Sequence, residues 1–213
     1  MGALAKLLPL VRKPRQDQDQ TVLSAALLAF LDFGIKRTSM VEVARRGGLS
    51  LATLYRRFSS KSDLIQAVGL AQTREFIEGV DAAVQKQIDR DGSAEDQIIE
   101  LFVAFLAGLR GNQLLDRLLI TEPEIVLPYL TIKGSPVIEL GRDYLAEFIT
   151  RLQDEGKLPV YDPLPLAEMI ARTSLSLALT PQTVIPLDDD AAAREFARNH
   201  VAVSFRVADV RKS

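Results

Sequence analysis

Residues 38–64 read TSMVEVARRGGLSLATLYRRFSSKSDL, and the spacing inside this stretch sets the reading of the whole chain. Ser39 followed by Met40, Val41 and Glu42 predicts a helix start with a capping box, in which hydroxyl and carboxylate each satisfy a backbone N–H of the other residue. Gly47-Gly48 ends that helix after barely two turns, and Ser50 predicts the N-cap of a second short helix reaching about Arg57. Two helices of this length around a glycine-containing turn form a helix-turn-helix pattern. On the second helix Leu54 and Phe58 share one face at four-residue spacing and are expected to pack inward, while Thr53, Arg56 and Arg57 point elsewhere. A recognition helix needs that division: an apolar seam to hold it, and short polar or basic residues to reach base edges and phosphates. Two arginines at a helix end would alone read as a solvated terminus. Inside this pattern they read as DNA contacts.

Working outward, Val22, Leu23, Ala26, Leu27, Phe30 and Leu31 recur at three- and four-residue steps and predict a first helix over Thr21–Phe33, stopped by Gly34. A further helix starts around Ser60 and continues to Ile88, before a loop at Arg90-Asp91-Gly92-Ser93. Strand signals are scarce. Helices are expected over 94–109, 112–119, 123–131, 136–155, 163–179 and 189–207, most breaks being marked by prolines. The fold class is therefore all-α: a flexible basic tail (1–19), a three-helix DNA-binding domain (20–66), and a larger helical domain (67–213).

The formal charge of -2 hides a segregation. Residues 1–61 carry 11 Lys+Arg against 4 Asp+Glu, a net of +7, whereas 62–213 carry 15 against 24, a net of -9. A basic module on an acidic body points to a polyanion partner for the first part, since phosphate neutralisation supplies most nucleic-acid affinity. The absence of cysteine, with a single histidine, argues against Ser-His, Cys-His and histidine-metal chemistry, and no P-loop or G-x-G-x-x-G run occurs. An enzyme is thus disfavoured, with no cofactor or metal expected. The apolar stretch at Met1–Leu10 precedes its basic cluster rather than following it, and charges or prolines interrupt every membrane-length run. A cytoplasmic protein without a membrane span is expected.

The run Thr38–Ser50, continued by Ala52-Thr53-Leu54-Tyr55-Arg56-Arg57-Phe58-Ser59-Ser60-Lys61-Ser62-Asp63-Leu64, resembles the DNA-binding signature of tetracycline-repressor (TetR) regulators, over about residues 20–66. The resemblance implies a homodimer on a near-palindromic double-stranded operator and a C-terminal effector pocket. It places Thr38, Ser50, Ala52, Thr53, Tyr55, Arg56, Arg57 and Lys61 at the DNA. Thr38 falls near phosphate, Thr53 and Tyr55 where the family touches bases and backbone, and Arg57 at a phosphate position often occupied by histidine. Lys61 opens the fourth helix, where cation and helix N-terminus together attract a phosphate. Leu51 departs from the pattern, at a position often basic or polar. It either touches a thymine methyl group or caps the core.

For the body, Leu166, Ile170, Thr173 and Leu177 form one stripe and Ala193, Phe196, Ala197, His200, Val203 and Ser204 another. The dimer interface is expected at Leu166, Ile170, Leu177, Phe196, His200 and Val203. His200 reads as a packed interface residue rather than a metal ligand, having no second histidine or cysteine to join it. Phe102, Phe105, Leu109, Leu118, Tyr129, Tyr144, Phe148 and Thr173 are candidates for an effector pocket, and the scarcity of histidine and interior charge suggests a small apolar effector. A helical DNA-binding dimer with no effector is the alternative.

Overall fold

The computed structural model describes Pro9 and residues 17–207. The expected tail therefore lies outside the described residues up to position 16, Pro9 apart, and Asp17–Asp19 already belong to the first helix. The order is α1 (Asp17–Arg37), α2 (Met40–Arg46), α3 (Leu51–Arg57), α4 (Lys61–Ile88), α5 (Ala94–Arg110), α6 (Gln113–Thr121), α7 (Pro123–Leu130), α8 (Ser135–Asp154), α9 (Pro163–Leu179), α10 (Asp190–Phe196), a π-helical turn (Ala197–Val201) and α11 (Ala202–Val207). Among the described residues there is no strand, and no single helix is long and apolar enough to cross a membrane.

The chain forms two compact units. One comprises residues 17–75 with Asn112–Gly134; the other contains Phe76–Gly111 and residues 135–207. The unit carrying the helix-turn-helix is thus larger than the 20–66 segment, because α6 and α7 belong to it. Its core joins Val22, Ala26, Ala29 and Phe30 of α1 to Met40, Val43 and Ala44 of α2, Leu54 of α3, and Leu64 and Val68 of α4. Leu114 of α6 packs against the same cluster.

Gly34 breaks α1 as its position suggested. Its φ of 80° and ψ of 165° lie where a side chain would be strained, and a single further turn, Ile35 to Arg37, follows it. Thr38 then closes the corner, donating its hydroxyl to the carbonyls of Gly34 (2.7 Å) and Ala29 (3.0 Å). The capping box expected at Ser39 is only half made. Ser39 accepts the Glu42 N–H at 3.2 Å, but the Glu42 carboxylate binds Arg45 (2.8 Å) and Arg46 (2.6 Å) instead of reaching back. Charged guanidinium donors three and four residues on outcompete a backbone N–H. A complete box occurs at Ser93 and Asp96, opening α5 with Asp in place of the usual Glu.

In the second unit α8 and α9 lie side by side, α9 also packs on α5, and the C-terminal helices cover α5. Leu145, Ile149 and Leu152 of α8 and Ala167 of α9 are fully buried. The π turn changes which residues of the last segment face inward. Ala193, Ala197, Ala202 and Phe205 are buried, and the five-residue step from Ala197 to Ala202 coincides with the wider turn. A continuous α-helix, assumed in reading 189–207 from periodicity, has no such step.

Candidate nucleic-acid interface

Helix α3 is built around one fully buried anchor. Leu54 is 0% exposed beneath α3, and Phe58 packs against the same core. Ser50 caps the helix, accepting the Thr53 N–H at 3.1 Å and sharing a hydrogen bond with the Thr53 hydroxyl at 2.9 Å. With Leu54 pointing in, Leu51, Ala52, Tyr55 and Arg56 point out, and Thr53 and Arg57 are half-buried at the edge of this face. Leu51, for which two readings were open, is 39% exposed and turned outward, one helical turn before Tyr55 at 47%. Thr38 requires a correction: it is 2% exposed with its hydroxyl donated to two carbonyls, so it shapes the corner rather than offering a surface contact.

The basic residues of α2 already have partners within the chain. Arg45 and Arg46 both bind Glu42, and together they hold its carboxyl down at about 2. Arg46 also pairs with Asp32 at 2.6 Å and lies over the Phe33 ring, 5.0 Å from its centroid.

Sequence reasoning missed a second feature, at the break in α1. Glu122, between α6 and α7, is 6% exposed, and its carboxylate accepts the N–H groups of Ile35 and Lys36, each at 2.9 Å. These are the amides released from helix pairing by the kink at Gly34, where a Cβ would lie 2.8 Å from the Glu122 Oε1. Lys36 also forms an ion pair with Glu124. From the other side Lys61, at the first position of α4, donates its Nζ to the Lys36 carbonyl at 3.1 Å. Eighty-odd positions separate Glu122 from its partners, so no local motif announced the contact; only the isolated Gly34 hinted that free amides would need an acceptor.

Residues 22–68 match the family described as bacterial regulatory proteins, tetR family. This match covers the capped pair of short helices, the buried Leu54 and the start of α4. The chain belongs to the TetR family of transcriptional regulators. It is 26% identical over 178 residues to an uncharacterized HTH-type transcriptional regulator of Mycobacterium bovis, covering 84% of this chain and 89% of the relative. Its fold is similar to that of a TetR-family regulator from Mesorhizobium loti, with a TM-score of 0.65, 21% identity, and coverage of 88% of this chain and 94% of that one. The TetR-family repressor AlkX from Dietzia, implicated in biodegradation of n-alkanes, aligns with a TM-score of 0.61, 20% identity, and coverage of 91% and 97%.

In this TetR-family chain the residues singled out for an effector pocket fall apart into groups. Phe102, Phe105, Tyr144 and Phe148 are buried in the second unit, where Phe105 and Tyr144 stack at 6.3 Å and the Tyr144 hydroxyl donates to Asp81 at 2.8 Å. Leu109 is half-buried on the same α5. Leu118 is buried in the unit of the helix-turn-helix. Tyr129 is 59% exposed on α7, a short helix with no buried residue, and Thr173 is exposed with its hydroxyl donated to the Met169 carbonyl. Neither presents a polar group to an interior. A cavity of about 270 Å³ does lie beside α5, with Phe102, Leu106, Ala193 and Leu187 in its wall and Arg110 at its edge paired to Asp188. Of the candidates, only Phe102 lines it. Glu122 is a charged group in the interior of the unit that carries the helix-turn-helix.

The interface candidates separate by burial. Ile170 faces the protomer's own core at 7% exposure, whereas Leu166 and Leu177 are half-buried and Met169, between them, is 52% exposed. Phe196 is half-buried against Phe102, with ring centroids 6.3 Å apart, and its ring lies tilted beside the exposed His200 at 4.8 Å. Val203 is 44% exposed.

Proposed function

We propose that this regulator is a cytoplasmic homodimeric repressor, that α3 of each protomer enters the major groove of a near-palindromic operator, and that a small apolar effector releases it. The observation that carries the reading is the outward face of α3: Leu51, Ala52, Tyr55 and Arg56 exposed, with Thr53 and Arg57 at its edge, on the segment of net charge +7. In this reading Thr53, Tyr55 and Leu51 touch bases or backbone, Arg56 and Arg57 are DNA contacts with Arg57 at phosphate, Ser50 and Ala52 lie along the contact, and Lys61 holds a phosphate at the start of α4. Leu166, Leu177, Phe196, His200 and Val203 are the proposed dimer surface. The apolar effector is supported by the aromatic cluster of Phe102, Phe105, Tyr144 and Phe148, while the cavity beside α5 also has Arg110 and Asp190 in its wall.

The test is to select an operator from random DNA and profile variants against each single-base change in it. Thr53→Ala alters the base preference, with a discrimination change of about 1–3 kcal/mol at one position, whereas Arg57→Ala and Lys61→Ala weaken binding to all sequences alike. A uniform loss for Thr53→Ala contradicts the assignment. For the effector, apolar compounds that raise the melting temperature are added to the operator complex. Coupling of about 1–3 kcal/mol is expected, and stabilising compounds that leave operator affinity within about twofold favour an effector-free dimer.

A further inference from the structure

The contact between Glu122 and the break in α1 joins two stretches of chain that the helix-turn-helix motif does not connect. A carboxylate that is 6% exposed has left water, and such a group is retained only where hydrogen bonds replace its hydration. Here the replacements are the amides of Ile35 and Lys36, one on each carboxylate oxygen. The Lys36 residue is thereby held from both ends: its N–H by Glu122, its carbonyl by the Lys61 ammonium. Glu124 takes the Lys36 side chain, so three groups converge on one residue of the corner that leads into α2.

We propose that Glu122 is a positioning residue for DNA binding, fixing the Lys36 peptide so that Lys61 is held ready for a phosphate. This rests on the reading of Lys61 as a phosphate contact. A lysine is a flexible point charge whose chain entropy opposes any one placement. Anchoring its ammonium on a carbonyl that is itself fixed uses one of its three N–H donors and leaves two for the phosphate. Glu122 needs no contact with DNA to do this. Segment 112–134, which belongs to the compact unit of the helix-turn-helix, would then contribute to DNA binding from outside the motif.

The test is a double-mutant cycle on the full-length protein: Glu122→Gln, Lys61→Ala and the pair, with operator affinity measured against salt well below each melting temperature. Glu122→Gln keeps the side-chain volume but sets an amide N–H₂ against one backbone N–H. One phosphate contact is worth roughly tenfold in affinity at 0.1 M salt, and its loss lowers the salt slope by about 1. Each single variant is expected to show a loss approaching that size in both readouts, and Glu122→Gln to cost less than about twofold further in the Lys61→Ala background. If Glu122→Gln folds poorly, Glu122→Asp, which keeps the charge but is too short to reach both amides, is expected to give a smaller loss that again vanishes without Lys61. If Lys61→Ala leaves affinity and salt slope unchanged, the phosphate reading of Lys61 fails, and this inference with it. If Lys61→Ala weakens binding while Glu122→Gln is silent or costs the same in both backgrounds, only the positioning role is overturned.

Discussion

Leu51 is an apolar side chain exposed at the first position of α3, the end of a recognition helix closest to base edges. Such a residue gains little from water and has one natural partner in the major groove, the 5-methyl group of thymine. Burial of a methyl is worth ~0.8 kcal/mol, about fourfold in affinity per contact. Replacing the thymine nearest Leu51 with uracil in the selected operator is therefore expected to weaken the wild-type protein about fourfold per half-site and Leu51→Ala hardly at all. Equal losses for the two proteins contradict the contact. Leu54, one turn on, has the opposite role: it is fully buried, and Leu54→Ala is expected to cost about 2–5 kcal/mol in a denaturation experiment by emptying the seam under α3. From sequence Leu51 was undecidable, since it neighbours Leu54 on the helix surface and periodicity cannot fix the edge of an apolar stripe. The inward turn of Thr38 was also hidden, because a threonine at a helix start serves a phosphate or a carbonyl equally well.

Among the elements, the short helices around Gly47-Gly48 were legible because each carries its own boundary signals: Ser39 and Ser50 cap, and Gly48 sits at a φ of 65°. What the spacing could not show was competition for Glu42, which serves Arg45 and Arg46 rather than the helix start. Glu42 is held at about 2, first by its hydrogen bond to Arg45 and next by that to Arg46, below its ordinary value near 4.5. A depressed carboxyl contributes stability above its unfolded pKa and loses it as pH falls through the folded one. The stability difference between the wild type and Glu42→Gln is therefore expected to be full at pH 5–7 and to disappear between about pH 4.5 and 2. A difference that persists below pH 2, or grows there, contradicts the ion-pair origin. The last segment was the least legible element. Its π turn is a hydrogen-bond shift with no composition signal, so the stripe read over 189–207 mixed residues facing the core (Ala193, Ala197) with residues facing outward (His200, Val203).

At the scale of the whole molecule, the all-α class and the place of the DNA-binding helices followed from sequence, but the partition of the chain did not. The expected division at residue 66 crosses between domains once, whereas the chain passes from one compact unit to the other between Glu75 and Phe76, between Gly111 and Asn112, and between Gly134 and Ser135. Long-range contacts such as Glu122 with Lys36 decide this, and periodicity contains no information about them. For the assembly, Val203→Asp, at a residue 44% exposed and so outside the protomer core, is expected to give monomers in sedimentation analysis with an unchanged melting profile at high dilution. Dimeric Val203→Asp moves the interface elsewhere. The central claim is that this chain binds a specific duplex through α3, and the most direct measurement is its affinity for the selected operator and for a scrambled duplex as salt is raised. A near-palindromic site is expected, with half-sites about 34–36 Å apart or a multiple of that. With on the order of 6–10 phosphates neutralised, affinity falls by roughly 10³–10⁵ between 50 and 200 mM salt, the operator remaining the tighter ligand throughout. A selection that enriches no sequence, or a flat salt response, contradicts the account.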